Sequence, residues 1–304
     1  MASSSKYPYT DVIFGVKGKI GIIKLNRPRS LNAFGGTLLP ELASAIRELN
    51  EHPDTVFTVL TGEGRFFSSG ADVKARNAQN QREEFPNPTA KKLNFMASQT
   101  TTSAVEILRS LIDHKKVLVL ALNGPAVGGG AAWFTGVADI VLAAERAYLQ
   151  VPFSELALVP EFGSATSFAQ SIGVHRANDF LLFGRKLTVE ELEQWGLVNR
   201  IFPSEGFHDQ VIEFLEGQLA VNDGKSMMEA KRLQNIPLRK DRLLAVYDAA
   251  DALAERVMEG APDERFAAKN RELHREYTAT LEDVLPSPVS LQVYQYLRWL
   301  TTTD

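Results

Sequence analysis

Apolar residues in this chain fall into short continuous runs that alternate with stretches of helical spacing. Residues 56–61 and 117–122 are runs of six residues rich in β-branched side chains, as expected for strands that are buried on both faces. Residues 41–51, 103–114 and 165–172 carry apolar positions at the spacing of helices that bury one face. This alternation of strands and helices predicts an α/β fold.

The same pattern divides the chain into three parts. We predict a loose tail over residues 1–10, a main domain of strands and helices over residues 11–204, and a helical region over residues 205–304. Within the main domain, residues 76–98 are polar and contain two prolines, which predicts either a mobile insertion or a plain surface loop. Residues 286–300 are densely apolar, and we expect them to dock on the body of the protein or on a neighbouring subunit.

Each of the two predicted strands runs into a turn that contains glycine. The first turn, at residues 66–72, reads Phe-Phe-Ser-Ser-Gly-Ala-Asp, and the second, at residues 123–130, reads Asn-Gly-Pro-Ala-Val-Gly-Gly-Gly. Because glycine permits a close backbone approach, the N–H groups of Ala71 and Gly129 can point at one ligand oxygen. Such an oxyanion hole favours a reaction that builds negative charge on a carbonyl oxygen, although glycine also marks ordinary turns between strands and loops.

These turns, together with further motifs, resemble those of the crotonase family, which is also called the enoyl-CoA hydratase/isomerase family. The resemblance covers about residues 10–270 and implies a spiral of repeated ββα units that ends in a helical trimerisation region. It also implies that the partner is an acyl-CoA substrate and that the protein assembles as a homotrimer or a hexamer. The further motifs are Leu-Asn-Arg-Pro-Arg-Ser-Leu-Asn-Ala at residues 25–33, Lys74 after the first turn, Ala-Asp-Ile at residues 138–140, and Trp-Gly-Leu-Val-Asn-Arg at residues 195–200.

In this family, the acid and base residues decide which reaction the oxyanion hole serves. The hydratases carry one glutamate two places after the triple glycine and a second glutamate after a proline one strand later. This chain has Ala132 and Phe153 at those positions. Since adding water to a double bond uses two carboxylates to hold the water and to move the protons, the resemblance implies that this chain does not add water in the usual way.

A carboxylate stands instead at Glu161, in the stretch Pro-Glu-Phe-Gly at residues 160–163. The family's hydratases have a glycine at this position, and its peroxisomal-type Δ3,Δ2-enoyl-CoA isomerases share the glutamate. Moving a double bond from C3 to C2 needs one base that removes a proton at C2 and returns it at C4. The resemblance therefore implies an isomerase in which Glu161 shuttles the proton while the N–H groups of Ala71 and Gly129 hold the enolate.

The expected surroundings of Glu161 suit a group that both accepts and donates a proton near neutral pH. Four apolar side chains would exclude water from its carboxyl group. They are Trp133, Phe153, Leu158 and Phe162. Two other interpretations stay open: Glu161 is a solvated loop carboxylate, or Glu155, expected in a strand or at its exit, is the base rather than a structural or surface residue.

Coenzyme A is part of the substrate in this family, so we expect no separate cofactor. Arg29, Leu31 and Lys74 match the positions at which the family contacts coenzyme A. The two basic side chains are suited to phosphate groups, although Lys and Arg are equally typical of a solvated surface. The predicted substrate-binding positions are, in full, Arg29, Leu31, Ser69, Gly70, Lys74, Gly128, Trp133, Phe153 and Phe162.

The remaining polar candidates indicate structural roles. The five histidines lack the spacing of metal ligands and a serine partner, so we predict surface or capping residues and no metal site. Asp72 is expected to cap or brace the first turn, and the family comparison implies a structural role for Asp139. The histidines are His52, His114, His175, His208 and His274.

Composition fits an enzyme with a large core. The chain has 304 residues, of which 44% are hydrophobic and 23% charged, with a formal net charge of −4, so it has no bias towards nucleic acid. The absence of cysteine excludes disulfides and thiol catalysis, and no apolar run reaches the length that spans a membrane. We therefore expect neither nucleic acid nor a membrane as a partner.

Location in the cell is predicted only through the family. The first residues lack the apolar core of a secretory signal and the arginine-rich pattern of a mitochondrial one. The last residues, Leu-Thr-Thr-Thr-Asp, are not a peroxisomal address of the Ser-Lys-Leu type. The isomerase resemblance implies the peroxisome, and the cytoplasm is the alternative.

Two other functions stay open at this stage. In the first, Glu161 or Glu155 activates water for a hydratase-like step or for hydrolysis of a specialised acyl-CoA. In the second, the chain is a non-catalytic subunit that binds acyl-CoA and has lost the hydratase pair of carboxylates.

Overall fold

The computed structural model describes residues 6–72, 85–101, 103–268 and 271. The strands of this part form two sheets. In chain order they are β1 (Val12–Lys17), β2 (Ile20–Leu25), β3 (Phe57–Gly62), β4 (Val117–Leu122), β5 (Ala126–Val127), β6 (Ile140–Ala144), β7 (Tyr148–Gln150), β8 (Leu187–Thr188) and β9 (Arg200–Phe202).

Helices connect the strands and cover the sheets. In chain order they are α1 (Leu38–Asn50), α2 (Pro88–Thr101), α3 (Ser103–Ile112), α4 (Gly129–Ala132), α5 (Ser164–Ile172), α6 (Val174–Phe183), α7 (Val189–Gln194), α8 (Phe207–Val221) and α9 (Gly224–Met258). Two short 3-10 turns lie at Pro28–Ser30 and Glu161–Gly163.

The larger sheet has the strand order β1-β2-β3-β4-β6-β9, and the smaller one has the order β5-β7-β8. In the larger sheet β1 and β2 are antiparallel, and the other neighbours are parallel. Parallel strands end at the same edge of a sheet. The turns that follow β3 and β4 therefore meet at one edge, where the sequence predicts the oxyanion hole.

Strands β3 and β4 are buried along their whole length because both faces of the larger sheet are covered. On one face, Val59 and Val119 share an apolar cluster with Val211 of α8. On the other face, Leu60 shares a second cluster with Leu42 of α1. This double burial explains why the two strands read as continuous β-branched runs instead of alternating ones.

The α/β class predicted from the sequence is confirmed. The predicted strand at 117–122 is β4, and the predicted helices correspond to α1, α3 and α5. One prediction is wrong in part: the polar segment 76–98 is helical from Pro88 onwards, in α2, and its beginning lies outside the described residues. The apolar segment 286–300 also lies outside the described residues.

The described end of the predicted N-terminal tail is hydrogen-bonded to α1. The N–H of Lys6 donates to Glu48 at 2.8 Å, and the N–H groups of Thr10 and Asp11 donate to Glu41 at 2.9 and 2.8 Å. Each of these hydrogen bonds ties a backbone N–H to a carboxylate of α1. The described residues from Lys6 onwards are therefore attached to α1 and are not loose.

Contacts divide the chain into two compact units, residues 1–259 and residues 260–304. The first unit contains every strand and helix named above, including α8 and α9. In the second unit, residues 261–268 are helical. The predicted division between residues 204 and 205 stays a prediction. In the part of the chain that the structure describes, no helix combines the length and the apolar character needed to cross a membrane.

A buried polar group stabilises the sheet at the edge opposite the two turns. Asp139 accepts hydrogen bonds from the N–H of Leu118 and from Lys231 of α9, both at 2.7 Å. Lys231 also donates to the carbonyl of Lys116. Because this ion pair joins α9 to the beginning of β4, it confirms the structural role expected for Asp139.

His114 belongs to the same region and corrects the expectation that the histidines are surface or capping residues. Its side chain is only 3% exposed, and Nε2 lies 2.8 Å from the hydroxyl of Thr58. Burial lowers the pKa of His114 to about 3, and the charges of Lys231 and Lys116 add to this effect. The imidazole is therefore neutral in the folded protein across the physiological pH range.

This burial predicts a pH dependence of stability. Below about pH 6.5 the unfolded chain binds a proton at His114 that the folded protein refuses until about pH 3. The free energy of unfolding should therefore fall as the pH falls through this window, with His114 contributing up to about 1.4 kcal/mol per pH unit. Urea unfolding of wild type and His114→Gln between pH 7.5 and 4.5 should show a flatter dependence in the variant.

The matched control is His175→Gln, since His175 is exposed. It should reproduce the slope of the wild type. Equal slopes for wild type and His114→Gln would contradict the prediction.

Candidate active site

The two predicted turns lie side by side. The N–H of Phe67 donates to the carbonyl of Pro125 at 3.0 Å, and the N–H of Val127 donates to the carbonyl of Ser68 at 2.9 Å. Ser68 and Ala126 pair as an isolated parallel bridge. The chain that leaves β3 is therefore hydrogen-bonded to the chain that leaves β4.

Two asparagine side chains hold the path of the first turn. Nδ2 of Asn32 donates to the carbonyls of Glu63 and Phe66 at 3.0 and 2.8 Å, and Nδ2 of Asn123 donates to the carbonyl of Gly64 at 2.8 Å. Asn32 is fully buried. These bonds satisfy backbone carbonyls that have no sheet partner, so they fix where the residues after them are presented.

Gly70 and Gly129 bring the two candidate N–H donors together. Gly70 has a φ of +81°, and a Cβ on it would lie 2.7 Å from the carbonyl oxygen of Val127 and 3.1 Å from the N of Gly129. Only glycine fits there. Among the described residues, the N–H groups of Ala71 and Gly129 donate no backbone hydrogen bond. Ala71 follows Gly70 directly, so two available donors lie next to each other.

Glu161 lies beside Gly129 and is held by an indole. Nε1 of Trp133 donates to Oε2 of Glu161 at 3.0 Å. A Cβ on Gly129 would stand 3.2 Å from the same oxygen and 3.0 Å from the indole nitrogen. The structure therefore brings together the carboxylate, the indole and one of the candidate oxyanion donors. Glu161 is half-buried.

Aromatic rings surround the indole. The ring centroid of Trp133 lies 4.6 Å from that of Phe34 and 4.9 Å from that of Phe162, the latter in a T-shaped arrangement. Trp133 is 6% exposed and Phe162 is 4% exposed. Phe34 was not predicted for the site. Its only sequence signal is that it directly follows the family motif at residues 25–33.

The backbone at Phe162 adopts a conformation that is rare for an aromatic residue. Its φ is 47° and its ψ is 44°, in the left-handed region. Such a conformation costs on the order of 1–3 kcal/mol and persists where the surroundings enforce it. The next residue, Gly163, packs closely against α9, since a Cβ on it would lie 3.2 Å from the backbone N of Val246.

The loop after β2 contacts the first turn. The N–H of Ser69 donates to the carbonyl of Leu31 at 2.9 Å, so these two predicted substrate-binding residues are neighbours. Arg29 is exposed in the adjacent 3-10 turn. Arg27, which was not predicted, donates to Asp72 at 3.2 Å, and this ion pair confirms that Asp72 braces the turn.

The other predicted residues are placed as follows. Lys74 lies outside the described residues. Gly128 precedes α4 and donates its N–H to the carbonyl of Gln150 at 2.8 Å. Phe153 is 2% exposed in the hydrophobic core.

Glu155 is exposed in a turn. It does not lie in the expected strand or at its exit, because β7 already ends at Gln150.

Within the described ranges, no three His, Cys, Asp or Glu side chains gather as metal ligands would. His208 is half-buried, and its Nε2 lies 3.2 Å from the hydroxyl of Thr61. Burial, followed by the charge of Lys24, lowers the pKa of His208.

Comparison with known proteins identifies the family. The family model described as enoyl-CoA hydratase/isomerase matches residues 15–261. The chain belongs to this family. A Delta(3,5)-Delta(2,4)-dienoyl-CoA isomerase of Pyricularia oryzae is 32% identical over 262 residues, which cover 82% of this chain and 92% of that protein.

Two further proteins are similar over most of the chain. Enoyl-CoA delta isomerase 3, peroxisomal, of Mus musculus is 30% identical over 84% of this chain and 76% of its own length. The crystal structure of an enoyl-CoA hydratase/isomerase from Mycobacterium paratuberculosis has a TM-score of 0.73 and 25% identity, covering 87% of this chain and all of that one. This chain therefore has the crotonase-like architecture that the sequence predicts, and it is an acyl-CoA-processing enzyme of the crotonase type.

The close contacts around Gly129 predict that alanine at this position disturbs the site of this family member. The added methyl group would push apart the indole of Trp133, the carboxylate of Glu161 and the ring of Phe34, which stands 3.0 Å from the Cβ position. We expect Gly129→Ala to lower the turnover of an enoyl-CoA thioester about tenfold, because three side chains of the site must each move by tenths of an ångström and a shift of about 1 Å costs about 100-fold. Steady-state kinetics and thermal unfolding of the same preparation measure the two effects.

Gly217→Ala is the matched control, since a Cβ on Gly217 of α8 meets nothing within 4 Å. It should leave turnover unchanged. Wild-type turnover in Gly129→Ala would show that this close packing is not needed.

Proposed function

We propose that this protein is an enoyl-CoA isomerase that moves the double bond of a 3-enoyl-CoA to the 2-trans position. The observation that carries the proposal is the placement of Glu161 beside Gly129, within hydrogen-bonding distance of Trp133. A single carboxylate next to an oxyanion donor is the minimum that a 1,3-proton shift requires.

In the proposed reaction, the thioester oxygen accepts hydrogen bonds from the N–H groups of Ala71 and Gly129. Glu161 removes a proton from C2, and the electrons of that C–H bond form a dienolate whose negative charge lies on the thioester oxygen. The protonated Glu161 then gives its proton to C4, and the carbonyl re-forms with the double bond between C2 and C3. No atom is gained or lost, so the reaction needs no water and no separate cofactor.

Two apolar residues stand where the family's hydratases carry their two glutamates, and this also supports an isomerase. Ala132 and Phe153 are each 2% exposed and contribute only apolar surface. The activation of water by a pair of carboxylates therefore has no counterpart at these positions. The name of the mouse relative, an enoyl-CoA delta isomerase, agrees with this interpretation.

Binding of the coenzyme A part of the substrate is proposed on weaker grounds. Arg29 is exposed beside Leu31, as a cation that meets phosphate groups would be. The mouse relative is named as a peroxisomal protein, which supports a peroxisomal location for this chain. Assembly as a homotrimer or a hexamer stays a prediction.

The decisive variant is Glu161→Gln, which keeps the shape of the side chain and removes the base. With a 3-enoyl-CoA as substrate, we expect kcat to fall by about 10²–10⁴-fold. The absorbance of the conjugated 2-enoyl thioester follows isomerisation, and a thiol reagent in the same cuvette follows hydrolysis.

Glu155→Gln is the matched control, because Glu155 lies six residues before Glu161 and is exposed. It should retain the kcat of the wild type. Absence of conjugation by the wild type would overturn the proposal. Release of free thiol would then favour hydrolysis, and binding without turnover would favour a non-catalytic acyl-CoA-binding subunit.

A second candidate function is suggested by the dienoyl-CoA isomerase of Pyricularia oryzae, which is 32% identical over 82% of this chain. A 3,5-dienoyl-CoA requires the proton to travel from C2 to C6, a longer path than from C2 to C4. Because the indole holds the carboxylate in place, we expect kcat/KM for the 3-enoyl-CoA to exceed that for the 3,5-dienoyl-CoA at least about tenfold. The reverse order would favour the second candidate.

A further inference from the structure

The contacts of Trp133 assign it a role other than lining the acyl pocket. We propose that Trp133 is a positioning residue, whose indole N–H orients the Glu161 carboxylate for proton transfer. This inference rests on the proposed isomerase function, in which Glu161 is the base that Trp133 orients. The distance from Nε1 to Oε2 is 3.0 Å, within the usual range for an N–H···O bond.

The indole is itself held in one orientation. Phe34 packs against it with a centroid distance of 4.6 Å, and Phe162 contacts it edge-on at 4.9 Å. Aromatic pairs with tilted or edge-to-face rings stabilise one another beyond the effect of burial alone. Trp133 is 6% exposed, so packing restricts the movement of its ring.

Two consecutive residues contact the same indole by different means. Glu161 accepts its N–H, and Phe162 packs against its ring, while the left-handed backbone at Phe162 sets the direction of the two side chains. A strained conformation at such a point is expected where function requires an exact side-chain placement. The strained backbone at Phe162 is therefore consistent with a need to keep the indole N–H and the carboxylate in one relative orientation.

The chemistry of the indole suits positioning and not proton transfer. Its N–H only donates, so it neither takes the proton from C2 nor delivers one to C4. A hydrogen bond to an ionised carboxylate is stronger than one to the neutral acid, so the indole favours the form of Glu161 that acts as the base. Loss of the indole N–H should therefore affect both the alignment of Glu161 and the pH at which it becomes active.

Trp133→Phe removes the N–H and keeps an aromatic ring. With a 3-enoyl-CoA we expect kcat to fall about tenfold or more while KM changes less than about twofold. The acidic limb of the kcat profile should move to higher pH, because the base is then protonated more readily. A rise in KM with an unchanged kcat and pH profile would show that Trp133 only contacts the acyl chain, and would overturn the inference.

The matched control is Trp195→Phe, the same chemical change at a position away from Glu161. The ring of Trp195 is half-buried and stacks with Arg185 at 5.2 Å. This variant should keep the kcat and the pH profile of the wild type. If the wild type itself turns over no 3-enoyl-CoA, the proposed function fails, whereas an active wild type with an equally active Trp133→Phe overturns the inference alone.

A measurement without turnover covers the case in which Trp133→Phe does not fold. The chain has three tryptophans, so an ¹⁵N-labelled protein gives few indole N–H resonances, which single Trp→Phe variants assign. In Glu161→Gln the Trp133 signal should move upfield, because a neutral amide accepts a weaker hydrogen bond than a carboxylate. The Trp195 signal should stay in place. An unmoved Trp133 signal would overturn the inference.

Discussion

The path of the chain as it leaves β3 is the constraint on which the rest of the site depends. Backbone carbonyls after a strand end have no sheet partner, and two asparagine side chains satisfy those of Glu63, Gly64 and Phe66. A different path would move Ala71 away from Gly129. The amide of Asn32 is fully buried, so a lost bond there would leave a polar group unpaired in the interior, and this favours one path of the turn.

Helix α9 connects the two ends of this arrangement. Lys231 joins it to Asp139 at the start of the parallel strands, and Val246 lies against the turn that carries Glu161. These residues are 15 positions apart, which corresponds to about 22 Å along an α-helix. One helix, with Pro237 between the two contacts, therefore runs from the edge of the sheet opposite the site to the turn that carries Glu161.

The elements that could be predicted from the sequence were those with local signals. β4 is a continuous apolar run, and the glycine turns follow directly from the strands. The contact between Trp133 and Glu161 spans 28 residues, and the left-handed backbone of Phe162 that permits it has no sequence signature. The burial of His114 was missed for a similar reason, because its partner Thr58 lies 56 residues away in the chain.

The apolar pair at Ala132 and Phe153 has a consequence for how such enzymes diverge. Each residue is 2% exposed, so a carboxylate introduced at either position would be a buried charge without a partner, at a cost of several kcal/mol. One such substitution would still leave the water-adding pair incomplete. The packing of these two residues therefore sets a stability cost on any change of this site towards water-adding chemistry.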